Sequence, residues 1–390
     1  MRIKRHPEEF QIEECIALPE GDGPYVYYRV EKQARSTRSV RDELAAQLSV
    51  RSSALVFPAT KNRVGVAAQY LSVRKQGPAI LKGAGYVARR VGSGPRALRP
   101  KDLSGNRFSV MVSNLDETEA AALAPTLARL EAYGLPNYFD DQRFGSMSRD
   151  GLPGKQILMH NAERVVQMYL AEPMAGDRRE IRRFKRLVAG HWGQWGFLLH
   201  QAPRPSNYRS VIIHLRDHPH DYREAANLIH DKLLSIYLIA YQAWVWNQIV
   251  GAYLMEVMEV THTLNVMHRP LTLPDPNSAM AAQRTVLVDL PRLTASYEGL
   301  WRKPAEAVLA AEGLSLRDFR PRMLRRVCLT KRQRAVVCTP METEVTQPEL
   351  DREMAERRQV VLRFTLDEGQ YASLVLKAVA ALIGSPFQVH

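Results

Sequence analysis

One apolar stretch, Leu233 to Met258, limits most strongly what this chain can fold into. About 20 consecutive apolar residues can span a bilayer as a helix, so the stretch belongs either in a membrane or inside a large domain. Gln242, Asn247 and Gln248 lie in its middle, and amide side chains are costly in lipid. We therefore predict a buried core helix and no association with a membrane.

The chain length favours two domains. Domains usually hold roughly 100 to 200 residues, and this chain has 390. Hydrophobic residues make up 45% of the sequence and charged residues 24%, which is typical of globular proteins and unlike disordered ones.

The secondary-structure pattern begins as strand, turn, strand. β-favouring residues lie on both sides of the Gly-Asp-Gly-Pro turn between Phe10 and Lys32. A helix with an apolar face should then run from a cap at Thr37 or Ser39 to Leu48. This order indicates an α+β fold rather than repeated βαβ units.

The pattern changes twice further along the chain. We predict strands at 54–57, 108–112 and 360–366, helices at 117–133, 158–170, 178–188, 228–260 and 372–383, and either a helix start or a strand at 64–73. The two ends are alike and the middle is mostly helical. We therefore predict an α+β domain of residues 1–133 and 334–390, interrupted by a helical insertion at 134–333.

The charge balance points to a polyanionic partner. Lys and Arg number 54 against 41 Asp and Glu, which gives a net charge of +13. Such a field attracts nucleic acid through the release of condensed counterions. The alternative is a basic surface that serves only solubility.

Three cysteines, Cys15, Cys328 and Cys338, are too few and too widely spaced for a disulfide framework or a zinc site. Their usage fits a reducing cytoplasm. The first 14 residues are charged and lack an apolar core, so we expect no secretory signal.

Six separated segments match, in order, the motifs of one enzyme family. They are EFQIEE at 9–14, TKNRVGVAAQ at 60–69, GNRF at 105–108, GLPNYFDDQRFG at 134–145, AYQAWVWNQ at 240–248 and FTLDEGQYAS at 364–373. With these segments the chain resembles the TruD-type tRNA pseudouridine synthases. The segment at 134–145, similar to G-x-P-N-Y-F-G-x-Q-R-F-G, is the most specific.

The resemblance implies a fold and an activity. The fold is a pseudouridine synthase catalytic domain, an antiparallel sheet flanked by helices, with a mostly helical TRUD insertion domain. RNA, and tRNA in particular, would lie between the two. The bacterial family isomerises the uridine at tRNA position thirteen without a cofactor, a metal or an energy source, and we expect a cytoplasmic monomer.

Asn62 stands where the family keeps its catalytic aspartate. That aspartate acts as a nucleophile or base, and an amide oxygen is far weaker in either role. We therefore expect the chain to bind RNA and to be impaired in catalysis. The sequence leaves open a natural pseudoenzyme and a deliberate substitution. Asp140 and Asp141 fall at motif positions where no nucleophile is expected.

By resemblance, the substrate-binding residues are Lys61, Gln69, Asn106, Phe108 and Tyr371. Phe108 and Tyr371 would stack on the extruded uracil; the alternative is that both are core aromatics. Asn106 would either bond to the target or brace the loop that carries residue 62.

Basic residues on two segments are candidates for phosphate contacts. One helical face should carry Arg178, Arg182 and either Lys185 or Arg186, and a second basic run, 322–334, includes Arg325 and Arg326. A solvated helix face is the alternative for the first segment.

His214, His218, His220 and His230 lack the cysteine or carboxylate that would complete a metal shell, so we expect no metal site.

Two other functions are compatible with the sequence. The chain could be a natural non-catalytic RNA-binding protein, acting as an RNA chaperone or assembly factor through the same cleft. It could also be an unrelated helical interaction protein whose motifs match by chance.

Overall fold

The computed structural model describes residues 1–3, 6–61, 65–204 and 206–389. These residues form two compact units. Unit 1 consists of Met1–Leu135, Pro276–Ala282 and Cys338–His390, and unit 2 of Pro136–Asp275 and Gln283–Val337. The chain therefore leaves unit 1 after its first 135 residues and returns to it twice.

The strands are given in chain order. They are β1 Arg2–Ile3, β2 Phe10–Ile16, β3 Tyr25–Gln33, β4 Val66–Val73, β5 Ile80–Gly83, β6 Tyr86–Gly94, β7 Leu103–Leu115, β8 Leu135–Pro136, β9 Val260–Val266, β10 Arg269–Pro274, β11 Leu287–Asp289, β12 Gln333–Ala335, β13 Val337–Cys338, β14 Met341–Val345, β15 Glu349–Leu350, β16 Arg358–Asp367 and β17 Gln388–Val389.

The α-helices follow the same numbering. They are α1 Thr37–Gln47, α2 Glu117–Tyr133, α3 Pro153–Leu158, α4 Ala162–Ala171, α5 Arg179–Gly190, α6 Trp195–Gln201, α7 Tyr208–Asp217, α8 Tyr222–Asn227, α9 Asp231–Val257, α10 Ser278–Ala281, α11 Arg302–Ala311 and α12 Ala372–Leu382.

The main sheet of unit 1 has 11 strands among the described residues, with the central order β14-β16-β7-β2-β4-β3-β6-β5. Most neighbours are antiparallel, whereas β2 and β4 run parallel. Because β2 and β4 are parallel, the chain must cross over between them, and it does so through β3, α1 and the loop that carries residues 59–61. The predicted α+β class is confirmed.

Helix α1 packs on this sheet through the face that the sequence predicts. Val40, Leu44 and Leu48 are all buried in one cluster with Tyr28 and other apolar residues of β3. The predicted cap was wrong, because the N-cap is Ser36, whose side chain accepts a hydrogen bond from Ser39 N. The predicted caps, at positions 37 and 39, therefore lie inside the helix.

Two segments in this part of the chain, one left open by the sequence and one predicted as a strand, differ in outcome. The segment predicted as a helix start or a strand is a strand, β4, from Val66. The predicted strand at 54–57 was wrong: its only pairing among described residues is a single bridge from Val56 to Ser72, and a 3-10 turn precedes it. Four residues with so little pairing do not extend the sheet.

Unit 2 is built around α9, the predicted core helix. Trp246, Ile249 and Leu254 are among its fully buried residues. Its buried amides are bonded, because Gln242 Nε2 donates to Pro291 O at 2.8 Å and Asn247 bonds to Phe139 through both amide atoms. Of the helices formed by described residues, none has the length and apolar character that a bilayer span requires.

The rest of unit 2 departs from the predicted pattern in two places. The helix predicted at 158–170 is two helices, α3 and α4, because His160 has φ +57° and Asn161 caps the second one. The helix predicted at 228–260 begins later and is followed by a hairpin, β9 and β10, within a segment predicted as mostly helical.

Candidate active site

Three polar side chains meet where β2 and β7 pair near the end of the loop at 59–61. Glu14 and Asn106 are directly opposite each other on these strands. Lys61 donates from Nζ to Asn106 Oδ1 and lies 3.7 Å from Glu14 Oε1. The structure therefore brings together two of the predicted substrate-binding residues, Lys61 and Asn106, with a carboxylate that was not predicted.

Gln69 and Thr37 extend this cluster. Gln69 Nε2 donates to Glu14 Oε1 at 3.0 Å and to Ala59 O at 3.1 Å. Thr37 Oγ1 donates to Gln69 Oε1 at 2.6 Å and accepts from Lys61 N at 2.9 Å. Gln69 has 0% exposure. Its carboxamide therefore bonds to protein groups and not to solvent in this structure.

Burial shifts the pKa values of the ionisable groups in the cluster in the direction that favours their neutral forms. Burial raises the pKa of Glu14, and hydrogen bonds from Gln69 and the charge of Lys61 oppose this shift. Burial likewise lowers the pKa of Lys61, and Glu14 opposes that shift. A second buried amine, Lys32, has its pKa lowered to about 8 by burial and then by the charge of Lys61. The charge of Glu14 thus favours the protonated form of both amines.

The predicted stacking residues have different surroundings. Phe108 is 5% exposed; its ring centroid lies 5.6 Å from that of Phe364 in a stacked arrangement and 6.1 Å from that of Phe10. Tyr371 is half-buried at the N-cap of α12. Phe108 is thus packed as a core aromatic in this structure, and contact with a base would use only its small exposed edge.

Asn62, the residue at the family's aspartate position, lies outside the described residues together with Arg63 and Val64. The described chain resumes at Gly65, which has φ +82° and whose position leaves no room for a Cβ beside the Phe10 carbonyl oxygen. Glycine is required there for both reasons.

The remaining predicted residues belong to unit 2. Asp141 Oδ1 accepts from Met267 N at 2.7 Å, and Asp140 is 1% exposed. Arg325 forms a two-bond pair with Glu224, the shorter bond measuring 2.6 Å, while Arg326 is exposed.

The basic face of α5 differs from the predicted one. Lys185 is 1% exposed and bonds to Asp177 at 2.9 Å, so the alternative that included it was wrong. Arg182 donates to two backbone carbonyl groups, whereas Arg178, the N-cap residue, and Arg186 are exposed. The exposed face also contains Arg179 and Arg183.

Arg179 and Arg183 are four residues apart, and Arg183 and Arg186 are three apart. This spacing places all three on one side of the helix. The sequence alone did not separate Arg179 and Arg183 from Arg182, because six of the nine residues at 178–186 are basic.

The histidines predicted to be non-ligating lie on unit 2, and His214 Nε2 lies 3.2 Å from Asp221 Oδ2. Within the ranges that the structure describes, no group of three or more His, Cys, Asp or Glu side chains could hold a metal ion.

The model of the family described as tRNA pseudouridine synthase D (TruD) matches residues 1–267. The chain belongs to this family. A chance match by an unrelated helical protein is thereby excluded.

Several TruD relatives match along nearly the whole chain. A Methanococcus maripaludis protein named "Probable tRNA pseudouridine synthase D 1" is 24% identical over 389 residues, which cover 97% of this chain and 99% of that protein. The tRNA pseudouridine synthase D of Aquifex aeolicus is also 24% identical, covering 97% of each chain.

A solved structure shares the fold. The Methanosarcina mazei protein that carries the TruD name superposes with a TM-score of 0.75 at 22% identity, covering 97% of this chain and 92% of that one. At this identity the likeness supports the fold, and the predicted TruD architecture is confirmed.

Three residues of the cluster were missing from the predicted site. Glu14 ends the EFQIEE motif and was therefore visible in the sequence, whereas Thr37 and Lys32 lie in no motif. The pairing of β3 and β4 sets Lys32 opposite Ala67, and there the charges of Lys61 and Glu14 act on its amine.

Proposed function

We propose that this chain derives from an RNA uridine isomerase that acts on tRNA, at position thirteen as in the bacterial family, and that Asn62 impairs its chemical step. The observation that supports this most is the cluster of Lys61, Asn106 and Glu14, because it holds Lys61, the residue before position 62, in a largely buried and charged site. Family membership supports the reaction class.

The impairment follows from the chemistry of the amide. Isomerisation breaks an N-glycosidic bond and rejoins the base through carbon, and the family aspartate supplies a negative oxygen for this step. Asn62 keeps the shape of aspartate and lacks its charge and basicity. General acid–base or nucleophilic assistance of this kind contributes about 10²- to 10⁴-fold to rate.

The test is to restore the carboxylate. Asn62→Asp should raise single-turnover formation of pseudouridine in tRNA by about 10²- to 10⁴-fold over the chain as written. Asn62→Ala is the control and should stay as slow as the original. Pseudouridine-specific chemical mapping gives both the rate and the position of the modified uridine.

The second candidate function is a non-catalytic RNA-binding protein that acts as a chaperone or assembly factor. Asn62 itself favours it. If Asn62→Asp binds tRNA and still fails to isomerise any uridine, this function replaces the first one. If Asn62→Asp restores turnover, a purely non-catalytic scaffold is excluded.

We also propose that the exposed arginines of α5 contact RNA phosphates. Arg179, Arg183 and Arg186 form one exposed face, and Arg178 is exposed at the N-cap. Arg326 offers a further exposed cation, whereas Arg325 would have to leave its pair with Glu224. The net charge of +13 supports a polyanionic partner.

Salt dependence tests the arginine face. Arg183→Ala/Arg186→Ala should weaken tRNA binding and reduce the slope of log K against log salt by up to about 2, since each phosphate contact contributes nearly one. The control is Arg302→Ala/Lys303→Ala, which removes two exposed cations from α11. Equal slopes for the two double variants would contradict the assignment.

We propose, finally, that the protein works as a cytoplasmic monomer without a metal or small-molecule cofactor. The sparse cysteines support the compartment, and isomerisation is neutral in redox and energy terms. Sedimentation of the chain with and without tRNA would test the oligomeric state.

A further inference from the structure

The function of Glu14 is unexplained by the family reaction as proposed above. Its carboxylate lies in the centre of the main sheet with 0% side-chain exposure. Oε1 faces Gln69 Nε2, and Oε2 accepts the Tyr70 backbone N–H at 3.0 Å. A buried carboxylate must be held by donors in this way, and a group so enclosed is unsuited to exchange protons with a substrate.

The hydrogen bonds from Glu14 lead to the loop before residue 62. Gln69, which Glu14 orients, also bonds to Ala59 O and accepts from Thr37 Oγ1. Thr37 in turn accepts from Lys61 N. Backbone atoms of residues 59 and 61 are thus both tied to side chains that Glu14 organises.

Glu14 also controls the side chain of Lys61. The ammonium group bonds to Asn106 and lies near the Glu14 carboxylate. Among the charges that act on this amine, Glu14 has the largest effect, ahead of Glu368. Removing the Glu14 charge would leave Lys61 beside the other buried amine, Lys32.

We propose that Glu14 is a positioning residue: through Gln69, Thr37 and Lys61 it fixes the backbone that leads into position 62. The inference rests on the proposed function, because the positioning affects the rate only if the residue at position 62 takes part in isomerisation. It assigns Gln69 to the support of the loop rather than to contact with the substrate. Glu14 is not a replacement base for the missing aspartate.

Glu14→Gln tests the proposal because it keeps the shape and replaces one acceptor oxygen with a donor. In an Asn62→Asp background it should slow single-turnover isomerisation by about 100-fold, the cost of a small misplacement at a reacting centre, with tRNA affinity within about threefold. Glu13→Gln is the matched control, since Glu13 is the preceding carboxylate and pairs with Arg29 at 2.8 Å.

A second readout does not need activity. In the chain as written, Glu14→Gln should speed hydrogen exchange of the Lys61 backbone amide by roughly 10-fold, since its bond depends on the same network. If Asn62→Asp is inactive, the proposed function fails, and the exchange experiment alone decides the proposal for Glu14.

Thr37 keeps the proposal testable if Glu14→Gln does not fold. Thr37→Val removes the hydroxyl that links Gln69 to the Lys61 backbone and should slow the reaction as much as Glu14→Gln does. Thr37→Ser keeps the hydroxyl and should react at the rate of the chain with Thr37. Unchanged exchange at Lys61 would overturn the proposal. So would a rate for Glu14→Gln equal to that of Glu13→Gln, or a Thr37→Ser variant as slow as Thr37→Val.

Discussion

At the scale of one residue, the fold changes the pKa of the buried amine of Lys32. It is 3% exposed and donates to Arg35 O at 2.7 Å, and its pKa falls to about 8 from an ordinary 10.5. Folding therefore disfavours the charged form of Lys32. The free-energy cost of burying the charged amine is fully present below pH 8, where the folded protein keeps the proton.

The sign of the pH dependence follows from proton binding. Between the folded pKa of about 8 and the unfolded value of 10.5, the unfolded chain binds more protons, so stability rises with pH. Relative to Lys32→Met, the free energy of unfolding of the original chain should increase by roughly 2 to 3 kcal/mol from about pH 7 to about pH 10.

Urea unfolding of both chains across this range measures the difference. Lys82→Met, which removes an exposed lysine from β5, serves as the control for general alkaline effects. A Lys32→Met difference that is flat with pH, or falls, would show that Lys32 is not held as a buried cation.

At the residue scale, the sequence could select residues that lie in a motif, and their contact with substrate stays a prediction. Lys61 and Asn106 were selected by resemblance, and the structure brings them together. Thr37 was noticed only as a possible cap, because nothing near it in sequence shows that Lys61, 24 residues away, would bond to its hydroxyl.

Helix α9 shows at the scale of an element why amides occur in an apolar segment. Asn247 Oδ1 accepts from Phe139 N, and Asn247 Nδ2 donates to Phe139 O, both at 2.8 Å. One side chain thus satisfies both backbone groups of a buried residue, which apolar neighbours could not do. The AYQAWVWNQ motif carries a structural function here.

Asn247→Asp should destabilise unit 2 by about 3 kcal/mol, because aspartate cannot donate to the Phe139 carbonyl and places a charge in the core. Gln248→Glu is the control, since Gln248 is the next residue and is only half-buried. Chemical denaturation followed by tryptophan fluorescence gives both values. Equal losses for the two variants would contradict the function assigned to Asn247.

Element boundaries were predicted best where the signal is local. Helix α2 spans Glu117–Tyr133 as predicted, with Asp116 capping its start and Gly134 at φ +80° ending it. The hairpin of β9 and β10 was missed although VTHTLNV at 260–266 alternates as a strand does, because the predicted core helix was extended to residue 260 and the segment after it was read as mostly helical.

At the scale of the whole molecule, the two compact units offer separate spectroscopic probes. All tryptophans of the chain, at 192, 195, 244, 246 and 301, belong to unit 2. Cys338 is buried in unit 1, where its thiol bonds to Gln370. Fluorescence therefore reports on unit 2, and thiol labelling of Cys338 reports on unit 1.

If the units correspond to two domains, the two probes should give different urea midpoints, because each unit has its own core. The measurement uses a chain with Cys15→Ala and Cys328→Ser, so that only Cys338 reacts. Coincident transitions by both probes would show one cooperative unit instead. The assignment of these units as catalytic and insertion domains stays a prediction until then.

The sequence by itself determined the family, the α+β class and the buried helix α9, and it selected two members of the site cluster, Lys61 and Asn106. Each of these depends on a motif or on a local period. The tertiary structure decided which polar groups are enclosed: Glu14 meets Gln69 across 55 residues of chain, and Lys185 rather than its arginine neighbours is buried. Burial depends on which strands and helices pack together, and one residue's neighbours in sequence do not specify that.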